Sequence, residues 1–276
     1  MDNIYLLIAL GFVIGAIGTL IGAGGGFILV PILIILHPDF TPEIITAISM
    51  AVVACNGISG SVAYMSTRRI DYKAGVIFAL FAIPGSILGV LTTKVIPREA
   101  FDVIFGIILV CLAVFLFIKG GNKTSVTKPV EAHKGWVQRH LVDKWNERYD
   151  YAYDSRKGNI LSIFVGYFSP LLGIGGGIIH VPAMVEWLRF PIHIATATSH
   201  FILAIMATVS VLVHIYDGNY NDPLILTMVI GLVIGVIPGA QLGAFLSRRM
   251  RGKIIIKALA GALIIVGIRI LVSRFV

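Results

Sequence analysis

Two glycine-rich stretches are the residues best placed to do chemistry. Gly22-Ala23-Gly24-Gly25-Gly26-Phe27-Ile28-Leu29-Val30-Pro31 returns 151 residues later as Gly173-Ile174-Gly175-Gly176-Gly177-Ile178-Ile179-His180-Val181-Pro182. Both lie in apolar sequence, where a glycine cluster unwinds a helix and exposes backbone amides. Each cluster directly precedes an apolar segment and so forms the N-terminus of a short helix. The free amides there present a positive dipole end that favours an anion. The triplets Gly24, Gly25, Gly26 and Gly175, Gly176, Gly177 exceed what close helix packing needs. By contrast, Gly231, Gly235, Gly239 and Gly243 read as small-xxx-small packing. The clusters do not match a dinucleotide fingerprint, because position 27 is Phe and no strand–turn–helix surrounds it.

Polar side chains inside apolar segments come next. The first cluster is followed by Thr46, Ser49 and Asn56, the second by His180, Thr196, Thr198, Ser199 and His200, with Gln241 further on. Their hydroxyl and amide groups can donate hydrogen bonds to carboxylate or sulfonate oxygens, and an imidazolium adds charge. For a single Ser or Thr the plainer role is interhelical bonding. No Asp or Glu lies deep in an apolar segment, so His200 and His180 are the proton-coupling candidates. His214 lies near a segment boundary. The usual catalytic sets are missing: there is no Gly-x-Ser-x-Gly, no His-Glu-x-x-His and no paired membrane aspartates. We expect no catalytic residues, no metal and no cofactor. Cys55 and Cys111 are single cysteines in apolar runs, read as packing residues.

The elements that position these groups are membrane helices. Of 276 residues 57% are hydrophobic and 13% charged, about half the charge of a soluble domain, and mean hydropathy is +0.94. Runs such as 5–21, 74–93 and 224–246 can each cross a bilayer. The expected fold is an all-α polytopic membrane protein without a separate soluble domain. The net charge of +8 belongs with cytoplasmic loops rather than with nucleic acid. No removable signal peptide is evident at the N-terminus.

The duplication extends past the glycines. Thr46-Ala47-Ile48-Ser49 matches Thr196-Ala197-Thr198-Ser199, and Ile83-Pro84-Gly85-Ser86-Ile87-Leu88-Gly89 matches Ile237-Pro238-Gly239-Ala240-Gln241-Leu242-Gly243. Ile14-Gly15 matches Val165-Gly166, and Phe105-Gly106 can be set against Ala260-Gly261. The chain divides into a first transmembrane repeat over 1–118, a linker over 119–158 and a second repeat over 159–276. Each repeat has five apolar segments, the last of the second being 254–272. The first two segments of each half are short and meet at a glycine cluster, as interrupted or re-entrant helices. Five is odd, so the repeats are expected to be inverted. With the linker in the cytoplasm, seventeen lysines and arginines fall inside and four outside. Both termini are then outside. The linker's Trp136 to Trp145 mixes aromatic and basic residues and is expected to be an amphipathic interfacial helix.

At these residues the chain resembles the sulfite exporter TauE/SafE family of membrane transporters. The likeness rests on Gly22-x-Gly24-Gly25-Gly26-x-x-x-x-Pro31 and its copy ending at Pro182, the Thr-Ala-x-Ser elements and the Pro-Gly-x-x-x-Gly segments. It covers the chain except the linker. The resemblance implies transport of a small sulfur-containing anion (sulfite, thiosulfate, or an organosulfonate such as sulfoacetate or taurine) across the bacterial inner membrane. The substrate would sit near the midplane between the repeats, moved by alternating access in either direction, with a coupling proton or other ion. A non-transporting membrane scaffold that docks partners through the linker is the alternative.

Overall fold

The computed structural model describes residues 3–119 and 136–247, together with 264 and 267. The segment expected over 254–272, Gly261 of the repeat, and 120–135 of the linker lie outside the described residues apart from those two positions. In chain order the elements are α1 (Ile4–Ile21), α2 (Gly26–Leu36), α3 (Pro42–Met65), α4 (Tyr72–Thr93), α5 (Arg98–Lys119), β1 (Val137–Val142), β2 (Arg148–Tyr153), α6 (Ser155–Leu172), α7 (Gly177–Glu186), α8 (Ile192–Tyr216) and α9 (Pro223–Leu246).

Local sequence sets the helix ends. Thr41, Asp71, Asp154 and Asp222 each cap a helix, their side chains accepting from the backbone N–H of Ile44, Ala74, Arg156 and Leu224. Pro42 and Pro223 occupy first-turn positions, where no N–H is needed. The helices α1, α3, α4, α8 and α9 are long and apolar enough to cross a membrane. Between them, α2 and α7 have 11 and 10 residues, about 16 Å at ~1.5 Å per residue, near half of a ~30 Å hydrocarbon core. Phe12, Leu80, Leu88, Phe164, Ile230 and Ile234 are exposed along the long helices, a distribution suited to lipid rather than water. The chain is a multi-pass membrane protein.

Packing is arranged about α3, of whose membrane-length window 83% is buried. α1 lies along α9 and α4 along α6, while α3 crosses α8. The remaining main contacts are α3 with α9, α4 with α8, α2 with α3, and α7 with α8. The glycines explain the closeness of the lateral pairs. A Cβ on Gly235, Gly239 or Gly243 would strike the carbonyl oxygen of Ile8, Phe12 or Ala16. Gly85 and Gly89 meet the carbonyls of Ile163 and Tyr167 in the same way. This is the packing role expected of the spaced glycines. α3 and α8 run antiparallel, since Gly57 faces Ala204 and Gly60 faces His200.

The linker departs from expectation. In place of an amphipathic helix over Trp136 to Trp145, residues 137–153 form an antiparallel hairpin in which Val137 pairs with Tyr153 and Arg139 with Tyr151. The reason lies in its second half, where Tyr149, Tyr151 and Tyr153 alternate with polar or small residues at the period of a strand. The turn is set by Asp143, whose Oδ1 accepts from the N–H groups of Trp145 (2.8 Å) and Glu147 (3.0 Å), with Asn146 at φ 62°. Tyr151 and Tyr153 are buried against Phe78, Phe190 and Leu188. Arg139 and Tyr151 both reach the carboxylate of Asp71 at the head of α4, and Arg69 donates twice to Asp143.

Candidate functional site

The two glycine clusters end one helix and start the next. Gly22 closes α1 and Gly173 closes α6, each in the left-handed region, at φ 83° and 66°. Gly24 and Gly25 (φ 80° and 87°) and Gly175 (φ 74°) continue conformations that side chains rarely adopt, which is why these positions are glycine. Gly176, at φ −56°, breaks the likeness with Gly25. In α2 the first amides bonded within the turn are those of Ile28 and Leu29, both to Gly25 O. In α7 Ile178 donates to Gly175 O at 3.5 Å, and Ile179 and His180 donate to Gly176 O. The amides ahead of them are the free N-terminal set that any helix carries.

The clusters touch each other directly. A Cβ on Gly26 would collide with Gly173 O, and a Cβ on Gly177 with Gly22 O. Gly24 packs on Leu203 and Val53, and Gly175 on Val53 and Ala23 O. These contacts connect α1–α2 to α6–α7 backbone to backbone, with room for no side chain.

Around this junction the expected polar residues separate into two groups. Ser49, Asn56, Ser199 and His200 are fully or almost fully buried. Ser49 Oγ donates to Gly173 O at 2.5 Å. Asn56 Nδ2 donates to Gly24 O at 2.7 Å, and its Oδ1 accepts a short bond from Thr19 Oγ1. His200 Nε2 lies 3.2 Å from the same Thr19 Oγ1. Thr19 has one hydroxyl hydrogen, and Asn56 takes it. Nε2 must therefore be the donor to Thr19, which leaves Nδ1 as the free ring nitrogen. Nδ1 and Ser199 Oγ are buried without a partner among the described residues. Tyr64 completes the group, donating to Thr19 O at 3.0 Å with its ring edge-on to His200. Thr19 and Tyr64 were missed in the sequence. The available signal was a threonine three residues before the first cluster, inside a span.

The other candidates lie elsewhere. Thr198 Oγ1 accepts from the backbone N–H of Asp71 at 2.9 Å, joining α8 to the head of α4. Gln241 is exposed on α9 and donates to Ser59 O at 2.8 Å and to its Oγ at 3.0 Å. His180 is buried 3.5 Å from Ser162 Oγ and beside the ring of Phe78, in the cluster that includes Tyr153 and Phe190. Thr46 and Thr196 bond to carbonyls of their own helices. Among the described residues no group of three or more His, Cys, Asp or Glu could hold a metal ion.

Outside the membrane-spanning segments, the site's frame is electrostatic. Asp71 is fully buried, which pushes its carboxyl upward, but Arg139, the Tyr151 hydroxyl and the Ala74 N–H outweigh that and hold it below the usual range. Tyr153 beside it is pushed up to about 12 by burial and the same carboxylate.

Comparison with known proteins agrees with this architecture. Residues 7–270 match the family described as sulfite exporter TauE/SafE. A probable membrane transporter protein, YunE of Bacillus subtilis, is 33% identical over 273 residues, covering 96% of each chain. Another, MJ0441 of Methanocaldococcus jannaschii, is 27% identical over 70% of this chain and 66% of its own length. A third, YdhB of Bacillus subtilis, is 23% identical over 82% and 84%. No solved structure matches at comparable significance. With the family matched along almost its whole length, this chain belongs to the sulfite exporter TauE/SafE family of membrane transporters.

Proposed function

We propose that the protein is a secondary transporter that moves a small sulfur-containing anion by alternating access of two inverted repeats. The family's description as a sulfite exporter supports this class, in which we include sulfite, thiosulfate and organosulfonates such as sulfoacetate or taurine. The single observation that carries the mechanism is the reciprocal contact of the glycine clusters. Gly26 meets Gly173 O while Gly177 meets Gly22 O, and each pair becomes the other when residues are shifted by the repeat offset. The helix contacts support the same exchange. Replacing α1, α2, α3 and α4 by α6, α7, α8 and α9 turns the α1–α9 pair into the α6–α4 pair and the α2–α3 pair into the α7–α8 pair. It leaves α3–α8 as a pair, and those two run antiparallel, as inversion requires.

In this reading the N-termini of α2 and α7 offer amides to the anion from opposite sides. Once protonated at Nδ1, His200 donates to the anion, and Ser199 Oγ, Ser49 and Asn56 supply further polar contacts. The described conformation is closed at the junction, so the anion enters when the two clusters part. The basic linker hairpin is cytoplasmic, both termini are outside, and the membrane is the bacterial inner membrane.

The test is flux of labelled sulfite, thiosulfate, sulfoacetate and taurine into proteoliposomes, paired with thermal stabilisation by each anion. Saturable uptake of at least one is expected, and Gly25→Leu and Gly176→Leu should each abolish it while the protein still inserts. Stabilisation by simple carboxylates but by none of the sulfur anions would overturn the substrate class. No flux of any small anion would leave the scaffold reading in its place.

A further inference from the structure

We infer that the end of α8 carries a proton-binding site, centred on His214, that fastens the α8–α9 turn to the start of α3. The transporter reading gives this site its purpose, as a coupling-ion site, but the geometry stands without it.

His214 lies in the last turn of α8 and is fully buried. Its Nδ1 is 2.9 Å from Asn219 Nδ2, and the same Nδ2 donates to Glu43 Oε1 at 2.9 Å. A carboxylate oxygen can only accept, so Glu43 fixes which way the Asn219 amide faces. With the NH2 group turned to both neighbours, Nδ1 must accept. His214 is therefore neutral, with its hydrogen on Nε2. That Nε2 is buried with no partner among the described residues. Asp217 caps the helix three residues on. Its Oδ1 pairs with Lys94 Nζ at 2.6 Å, while its Oδ2 is buried with no partner among the described residues. The charged and titratable groups facing His214 are thus Glu43 from α3, Asp217 from the end of α8, Lys94 from the end of α4, and Tyr220 from the turn, whose ring is edge-on to the imidazole.

A proton added at Nδ1 converts the acceptor into a donor and sets it against the Asn219 amide. Protonation and the Asn219 bridge to Glu43 exclude one another. Among the described residues the bridge ties the turn to α3 together with Tyr220 OH, which donates to Ala47 O at 2.8 Å. Proton binding at His214 therefore loosens the turn from α3, and Asp217 Oδ2 is the acceptor available to the new charge. His200 is different. A proton on its free Nδ1 breaks no existing bond, because Nε2 already donates to Thr19. Of these two histidines, it is His214 whose protonation costs a contact between elements.

The experiment uses the full chain, purified in detergent, with Cys55→Ser and Cys111→Ser. The Ala47→Cys variant reports the covered α3 surface, since Ala47 is completely buried. Its rate of labelling by a polar maleimide at pH 4.5 and 7.5 is divided by that of Tyr5→Cys, a 79% exposed position. This ratio cancels the ordinary loss of thiolate in acid. We expect the ratio to rise at least fivefold at pH 4.5, and His214→Gln to remove the pH dependence. Asn219→Asp should reverse it, because a carboxylate there repels Glu43 until a protonated His214 sits beside it. A ratio that ignores pH, or that changes equally in His214→Gln, overturns the site. If Ala47→Cys does not fold, the imidazole 15N spectrum of the otherwise native chain decides. It should contain a ring with its hydrogen on Nε2 that is absent in His214→Gln and gains a second hydrogen on acidification, whereas a hydrogen on Nδ1 at neutral pH overturns the inference. None of these readouts needs anion flux, so failure of the substrate reading leaves them interpretable.

Discussion

Asp71→Asn isolates the charge that holds the hairpin on the membrane domain. Asp71 Oδ1 accepts from the Ala74 N–H at 3.1 Å as the cap of α4, and asparagine caps a helix about as well. The substitution therefore spares α4 and removes the negative charge facing Arg139. The side chain of Asp71 is fully buried and that of Arg139 17% exposed. Breaking a buried pair costs about 3–5 kcal/mol when one partner is left without compensation. Here Arg139 keeps some access to water, and the asparagine oxygen still accepts from it or from Tyr151. About 2 kcal/mol is the appropriate figure. That corresponds to an increase of roughly 30-fold in hairpin opening. Hydrogen exchange of the amides in 137–142 and 148–153 reads it directly, as a loss of protection of that size.

The pH dependence has a definite sign. The folded Asp71 carboxyl titrates below its ordinary value, so its contribution is complete above about pH 4 and is lost as pH falls through the lower, folded value. Wild-type protection should hold from neutral pH to about 4 and decline only below that. Hairpin protection that is unchanged in Asp71→Asn would refute the argument, and would mean that Tyr151, Tyr153 and the Arg69–Asp143 pair suffice to hold the strands.

Gly177→Ala places a methyl group against Gly22 O, which neither backbone can avoid, and Gly26→Ala does the same against Gly173 O. Each should destabilise the closed junction by about 1–3 kcal/mol, seen as a lowered melting temperature; an unchanged melting temperature would mean that the clusters are already apart in solution. His200→Gln retains an amide donor toward Thr19 and removes the free ring nitrogen. Affinity for the transported anion should fall at least tenfold while the melting temperature stays near wild type, and unaltered affinity would remove Nδ1 from the list of ligands.

The sequence shows the membrane fold and the glycine pair because both are local signals. A run such as 224–246 needs no partner to be recognised, and φ values above zero at Gly22, Gly24 and Gly173 are the reason those positions are glycine. Spaced glycines announced helix packing, though not that Gly235 and Gly239 would face α1. The hairpin was misread because Trp136 to Trp145 has the composition of an interfacial helix, while the strand period appears only in Tyr149, Tyr151 and Tyr153. Which polar residues meet was not legible at all. Thr198 and Ser199 are neighbours in the chain, but on a helix they point about 100° apart, so one bonds the head of α4 and the other is buried without a partner among the described residues. His180 and His200 both follow a glycine cluster, yet one joins an aromatic cluster under the hairpin and the other joins Thr19 and Asn56.

In the proposed transport cycle, the closed junction also constrains where an anion can bind. Gly26 and Gly177 press on carbonyl oxygens of the opposite half, and carbonyl oxygens repel an anion. An anion therefore cannot simply be added between the clusters as they stand. The carbonyls of Gly22 and Gly173 must first withdraw, which also frees the Ser49 hydroxyl now donating to Gly173 O. Parting the clusters exchanges two misplaced acceptors for helix N-terminal amides and a released donor. Under the proposed mechanism, the movement that opens the path thus also changes the electrostatic sign of the junction. A variant that holds the halves together without disturbing either helix N-terminus, such as a disulfide between cysteines replacing Ser86 on α4 and Ser210 on α8, whose hydroxyl oxygens are 2.8 Å apart, should abolish both binding and flux. Binding that survives with flux lost would place the anion outside the junction.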